Sequence, residues 1–382
     1  MPHDRLRRMC YSIAYLSSVY HRGGSMDIEK IIMWIMAFGA VLGGFDRIGG
    51  NRFGLGDKFE KGFQMLGNVG LSMAGIICLA PVLGEGVRFL VGPLCEALKM
   101  DPAIFGSLLA IDMGGYSLAV DLAKDPELGQ YAGVIVASMF GATLVFHIPV
   151  GVGFLGEKDE SFMKGILLGL AVMPGSLLLG GLVMGLGLGQ ILWNSLPVFL
   201  LSAALAVGIV KVPGTMMKIF KVFARIIRAV ATVGLTVATV THMTGFVILE
   251  SMPPLQEAMK VAVSIGIVML GGMPLAELIG RLLKRPFRWI GDRTGIDSAG
   301  TTAVLVGLVS ATPALAMLPQ MNRRSRVVVG AFLVNGVCII GSHFAFCQSV
   351  APERIGALLA AKLAGGILAM TMALLCSRGE KE

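Results

Sequence analysis

Apolar residues run without interruption by Asp, Glu, Lys or Arg through 62–84, 129–156, 165–210, 229–249 and 327–352. A helix crossing a bilayer needs about 20 such residues. The runs are continuous and rich in Leu, Ala, Gly and Met, whereas a membrane β-barrel would alternate in segments of about ten. The stretch 165–210 is long enough for two crossings, with a turn at Gly189-Gln190 to Asn194-Ser195. Less clean runs lie at 28–46, 258–280 and 355–377. The pattern predicts an all-α polytopic membrane protein of about nine transmembrane helices. Two more apolar stretches, 102–120 and 298–322, are rich in Gly, Ser, Thr and Pro and do not fit as simple spans.

Charge explains those two. Lys and Arg concentrate in cytoplasmic loops. The richest segments are 211–228, 281–293 (Arg281, Lys284, Arg285, Arg288, Arg293) and 323–326 (Arg323, Arg324, Arg326), all expected inside. Segment 298–322 then has both flanks inside and reads as a re-entrant hairpin. Segment 102–120 has acidic flanks, Glu85, Glu96 and Asp101 before it and Asp121, Asp125 and Glu127 after it, expected outside. It reads as a second hairpin entering from the opposite face. The core then starts outside, and the C-terminus is cytoplasmic. Within 215–228, Lys218, Lys221, Arg225 and Arg228 share one helical face, as in a helix lying on the inner leaflet.

A shift of about 193–198 residues places Pro81 on Pro274, Pro93 on Pro286, Asp101 on Asp297, His147 on His343 and Lys164 on Lys362. This predicts an inverted repeat: residues 26–189, a linker helix 190–212, residues 213–377, and a tail 378–382. Residues 1–25 carry Arg5, Arg7, Arg8 and Arg22 and are expected to be an extension outside the fold; the rival reading is a signal-like segment. Inverted repeats with broken or re-entrant segments point to a transporter with a midplane site.

Composition narrows the class further. Charged residues make up 15% and hydrophobic residues 55% of the 382 residues, where a soluble domain has about 25% charged. Mean hydropathy is +0.78. A disordered chain is excluded, and a soluble enzyme lacks support. The net charge of +8 reads as loop charge, with no nucleic-acid partner. No phosphate-binding Gly-rich loop, His-Glu-x-x-His or Gly-x-Ser-x-Gly occurs, so neither ATP drive nor catalysis is indicated. Cys10, Cys78, Cys95, Cys338, Cys347 and Cys376 lack metal-site spacing and read as free thiols. No cofactor or metal is expected.

Asp112 is the one acid deep in an apolar hairpin, and a charge at that depth is a functional candidate by default. Gly114 and Gly115 free the backbone beside it, and Tyr116 offers a π face to an ammonium group. In the second hairpin Ser310 and Thr312 supply hydroxyls next to Pro313, with Thr301 and Thr302 earlier. Such hydroxyls also bond their own helix carbonyls. His343 and its repeat mate His147 could relay protons or touch substrate. Asn335, Gln64 and Asn68 fit helix–helix hydrogen bonding, and Asn335 also counts as a candidate substrate contact. Lys164 and Lys362 are expected to snorkel.

The run Leu108-Leu109-Ala110-Ile111-Asp112-Met113-Gly114-Gly115-Tyr116-Ser117-Leu118-Ala119 resembles the Asp-Met-Gly-Gly segment of the ethanolamine permease family. The likeness continues through Gly70 to Gly75, Leu79 to Leu83, Val145 to Val150 and Ile31 to Met36, and covers about residue 26 to the end. It implies a secondary transporter importing ethanolamine across the bacterial inner membrane for ethanolamine utilisation, with ethanolamine and the lipid bilayer as partners and a homo-oligomer possible. Ethanolamine carries an alkylammonium, charged at neutral pH as a Lys side chain is, and Asp112 would be its counter-ion. The alternatives are another small amine, a nucleoside-like solute, or a passive channel.

Overall fold

The computed structural model describes residues 28–108, 115–156 and 159–378, and all regular structure among them is helical. Residues 1–25 lie outside the described part. Helix α1 (Ile28–Ile48) is followed by α2 (Leu55–Val69). A π-helical turn, Gly70–Ala74, carries α2 without a break into α3 (Gly75–Leu98). The apolar run 62–84 is therefore not a span of its own. Its first part continues an amphipathic α2 with exposed Lys61 and Gln64, and the helix long enough to cross is Gly75–Leu98.

Two short helices, α4 (Ala103–Leu108) and α5 (Gly115–Leu122), come next. Helix α6 (Pro126–Gln130) runs into π-helical Tyr131–Gly141 and Thr143–His147 and ends as α7 (Ile148–Leu155), a single rod through 126–155. Helices α8 (Glu160–Val183) and α9 (Leu188–Lys211) follow. Helix α10 (Pro213–Thr244) and helix α11 (Leu255–Thr294) are both longer than the hydropathy pattern suggests. The basic stretch 215–228 continues straight into the apolar 229–244 and forms no separate surface helix. Val212 precedes it and Gly245, at φ 73°, ends it, and no helix-breaking residue intervenes to stop α10 at the charge boundary. Likewise, the basic 281–293 is the last part of α11. Charge changes which solvent a helix faces but does not by itself end a helix.

Helices α12 (Ser298–Gly307) and α13 (Ala311–Ala316) form the second short pair. Then come α14 (Arg323–Asn335), α15 (Ser342–Val350) and α16 (Ile355–Cys376). Among the described residues, eight helices are long and apolar enough to cross a bilayer. The ninth expected span, 327–352, is divided at 336–341, where Cys338 takes a left-handed φ of 59°. Hydropathy counts apolar residues and does not register a break that glycines permit.

Side-chain bonds sort the loops into two ends. Arg281 donates to the Phe53 carbonyl, Lys58 pairs with Glu277, Arg326 with Asp159, Lys164 donates to the Cys376 carbonyl, and Asn322 to that of Gly295. At the other end Trp193 donates to Leu98, Lys124 pairs with Glu96, and Arg354 pairs with Glu127. Large apolar side chains such as Trp34, Phe45, Phe89, Leu200 and Val210 stay exposed around the bundle. A soluble monomer rarely shows apolar surface on that scale, and lipid is its natural cover.

Candidate functional site

Two carboxylates organise the short helix pairs. Asp101 accepts the Ala103 N–H at 2.9 Å on one oxygen and the Lys124 and Asp125 N–H groups, each at 2.9 Å, on the other. It thus caps α4 and clamps the chain that leaves α5. Asp297 does the same in the second pair: one oxygen accepts Gly300 N–H at 2.7 Å and the other Asn322 N–H at 2.5 Å. Short polar side chains at a helix start satisfy N–H groups that have no partner inside the helix. Asp125 and Asn322 in turn cap the long helices that follow, accepting from Glu127 and Ser325. The aspartates aligned by the sequence shift therefore make matching bonds, and they sit at opposite ends of the bundle.

The helices after these caps are both irregular. In 126–155 most of the middle is π-helical, a form common at functional sites. In the second, 336–341 leaves the helix and lies across the end of α12. Cys338 N–H donates to Gly307 at 2.8 Å and Ile340 N–H to Leu308 at 3.0 Å. The opened helix and the bend at 307–310 thereby satisfy each other's backbone, which irregular chain inside a membrane protein requires.

Between these two irregular segments lies Lys362. It is fully buried, and its Nζ donates at 3.1 Å to the carbonyl of Ser138 in the π-helix and at 3.1 Å to the carbonyl of Val337 in the opened segment. The expectation that Lys362 snorkels to an interface is wrong. Small residues explain how it turns inward: Gly336 and Gly366 face each other so closely that a Cβ on Gly366 would lie 3.0 Å from Gly336 Cα. That approach brings the Val337 carbonyl within reach of α16, one turn from Lys362. Nothing in the sequence near Lys362 signals this, because both carbonyls belong to distant backbone.

The structure distributes the predicted site residues unevenly. Asp112 and Gly114 lie outside the described residues. Gly115 is buried at the start of α5. Tyr116 rests on Gly133 of the π-helix, stacks edge-on with Phe346 at 5.7 Å, and donates to the Val350 carbonyl at 3.3 Å. His343 and His147 are both buried, and His147 Nδ1 is 3.4 Å from the Thr143 hydroxyl. Asn335 is buried with its amide given to Gly169 at 2.8 Å and its oxygen accepting from Ser176 at 3.0 Å, so it joins α14 to α8. Ser310 stands at the N-cap position of α13 without a side-chain capping bond, and it lines a cavity of about 440 Å³ with Thr302, Val309, Glu277, Lys58 and Arg281. Thr312 is exposed and is absent from that lining. Thr301 and Thr302 bond back to helix carbonyls. Among the described residues no group of three His, Cys, Asp or Glu side chains is placed to hold a metal ion.

Residues 28–376 match the family model described as "Ethanolamine utilisation protein, EutH". The chain belongs to this family. It is 35% identical over 349 residues to a Listeria monocytogenes protein named "Probable ethanolamine permease EutH", covering 91% of this chain and 94% of the relative. It is 36% identical over 350 residues to Bacillus subtilis "Uncharacterized protein YxeR", covering 91% and 95%. A Salmonella typhimurium "Probable ethanolamine permease EutH" is 32% identical over 390 residues, covering 92% and 96%. No solved structure matches. Membership in this family, with eight apolar helices of spanning length among the described residues, makes the chain a multi-pass membrane protein.

In this family member a charged tie at each end of the rod 126–155 joins it to the second half of the sequence. At its start Glu127 meets Arg354 at 2.5 Å, and Gln130 bonds Arg354 and Glu353. Just past its end Asp159 meets Arg326 at 2.6 Å, and Arg326 also donates to the Leu318 and Pro319 carbonyls. Both Arg326 and Asp159 are largely covered, with side chains 21% and 13% exposed, so the pair is less screened than a surface pair. Arg326→Ala is expected to destabilise the protein by about 1–3 kcal/mol, read as a fall in unfolding temperature. An unchanged unfolding temperature would show that the tie contributes nothing.

Proposed function

We propose that the protein is a secondary transporter that imports ethanolamine across the bacterial inner membrane, with its core starting outside and its C-terminus in the cytoplasm. In this reading the pairs α4/α5 and α12/α13 are re-entrant hairpins from opposite faces, in two inverted halves linked by α9, and they gate alternately. Asp112 supplies the counter-ion for the substrate's ammonium, between Gly114-Gly115 and Tyr116. Ser310 takes the substrate hydroxyl, and Thr312, exposed as it stands, would reach it only after α13 moves. His343 and Asn335 line the path. Transport needs no covalent chemistry, so the protein is not an enzyme.

One observation carries the reading: buried main-chain oxygens of two irregular helices meet in the interior beside short helix pairs capped from opposite ends. Such a constellation is what a midplane site in a carrier is made of. The relatives' names point the same way.

Uptake of labelled ethanolamine into proteoliposomes tests it. Wild-type uptake should saturate and show counterflow, which a passive channel would not. The assay belongs at acidic pH, where neutral amine able to leak through lipid is scarce. Asp112→Asn should cut uptake about 10–100-fold, the worth of one hydrogen-bonded charge contact of roughly 1.5–3 kcal/mol. Full uptake by Asp112→Asn would remove the carboxylate from the mechanism. Preference for a different amine or a nucleoside in competition would keep the carrier and change its substrate.

A further inference from the structure

Burying an ammonium at the centre of a membrane protein costs several kcal/mol, and Lys362 has a route to avoid it. It lies two turns into α16, whose start at Ile355 is near one end of the bundle. A flexible four-carbon stem could reach back toward that end, as lysines near helix ends do. Instead the side chain is fully buried, and it donates to the Ser138 and Val337 carbonyls, each at 3.1 Å.

The acceptors are as telling as the donor. Ser138 and Val337 are separated by 199 residues, close to the spacing that relates the two halves. Each lies on the irregular helix that follows a capped helix pair, one in the π-helical stretch and one in the opened turn. Main-chain oxygens at places where membrane helices depart from α-geometry serve as ligands for a small monovalent cation in carriers, and here one such oxygen comes from a continuous π-helical stretch and one from an opened turn. Here those positions are held by a nitrogen covalently attached to the protein. A neutral apolar residue of similar volume would fill the same space but could donate to neither carbonyl.

We propose that Lys362 is a tethered cation: its ammonium permanently occupies a monovalent-cation site built from the Ser138 and Val337 carbonyls, in place of a co-transported metal ion. This rests on the carrier reading above. It adds that the site's ligand class is a primary ammonium or an alkali cation, and that transport proceeds without sodium. The residue is a positioning group, holding the two irregular helices together by charge rather than reacting.

The decisive experiment removes the tether and supplies its missing piece. In Lys362→Ala, the deleted atoms from Cγ to Nζ correspond to propylammonium. Purified Lys362→Ala should unfold roughly 5 °C or more below wild type. Millimolar propylammonium chloride should raise that temperature, while tetramethylammonium chloride, equally charged but without N–H donors, should not. Wild type should respond to neither. Equal responses of the variant to both salts, or to none, overturn the proposal. If Lys362→Ala cannot be purified, Lys362→Gln keeps an N–H donor without the charge. It should fold yet lose at least tenfold in uptake, and wild-type uptake by Lys362→Gln would show the charge to be dispensable. Replacing sodium by potassium should leave wild-type uptake unchanged, and a sodium requirement would overturn the tethered role. The unfolding assay contains no ethanolamine, so it decides on Lys362 even if the transported solute is another one.

Discussion

Replacing Asp101 by Ala is expected to cost about 3–5 kcal/mol of stability, one of the largest effects of any single change outside the interior of the bundle. Three backbone N–H groups, of Ala103, Lys124 and Asp125, lose their acceptor at once, and bonds to an ionised acceptor are worth about 1.5–3 kcal/mol each without being additive. Asp101 is itself covered, and its own N–H is held by Asn194 at 2.7 Å, so water does not simply take the carboxylate's place. Asn at this position should recover less than half of the loss. One of its two terminal atoms becomes a donor, which must face either Ala103 N–H or the Lys124 and Asp125 pair. Asp297→Ala should behave alike, with Gly300 and Asn322 as the orphaned donors. Thermal unfolding of the three purified variants checks this. A drop equivalent to under about 1 kcal/mol for Asp101→Ala would mean that the clamp between α4 and the segment after α5 is not what holds that pair together.

Gly341→Ala should be nearly as damaging and should also stop transport. A Cβ on Gly341 would fall on the main-chain oxygen of Val309, a backbone atom that has no rotamer to escape into. Relief requires 336–341 to lift from the end of α12, which breaks the bonds from Cys338 to Gly307 and from Ile340 to Leu308. Overpacking of this kind and the two lost bonds together amount to about 2–4 kcal/mol. The local readout is Cys338, buried at 3% exposure. Read at Cys338 alone, with the exposed Cys376 replaced by Ser in both proteins, wild type should resist a maleimide and the variant should be labelled at least about tenfold faster, because a shift of about 1.4 kcal/mol in local opening already gives tenfold. Ethanolamine uptake should fall by a similar factor or more. A variant that stays unlabelled at Cys338 and transports normally would show that the opened segment is not pinned by Gly341.

Much of the architecture was legible in the residues alone. Apolar run length gave the helical membrane class, and the sequence shift aligned Asp101 with Asp297, whose capping of both short pairs the structure then supplied. The run 327–352 misled, since its glycines look like those of any packed membrane helix and no proline marks the break. The join of 215–228 to 229–244 was missed for the opposite reason: a change from charged to apolar residues looks like an element boundary, although backbone hydrogen bonding carries straight through it. The π-helical stretch was invisible because Tyr131 to Gly141 is buried all round and offers no periodicity to read.

The candidate site divides in the same way. Asn335 was recognisable as a buried amide, yet only packing shows that Gly169 and Ser176 take its bonds. Ser310 and Thr312 look equivalent in sequence, and the one-turn geometry of α13 turns the first toward a cavity and the second away from it. By itself the sequence determined the helical membrane class and the resemblance that led to the family, because run length and local motifs are written in consecutive residues. The direction of Lys362 was decided by tertiary structure alone. A lysine's ammonium goes wherever its three N–H groups find acceptors, and here those acceptors are carbonyls of chain nearly two hundred residues apart, brought together only when Gly336 meets Gly366.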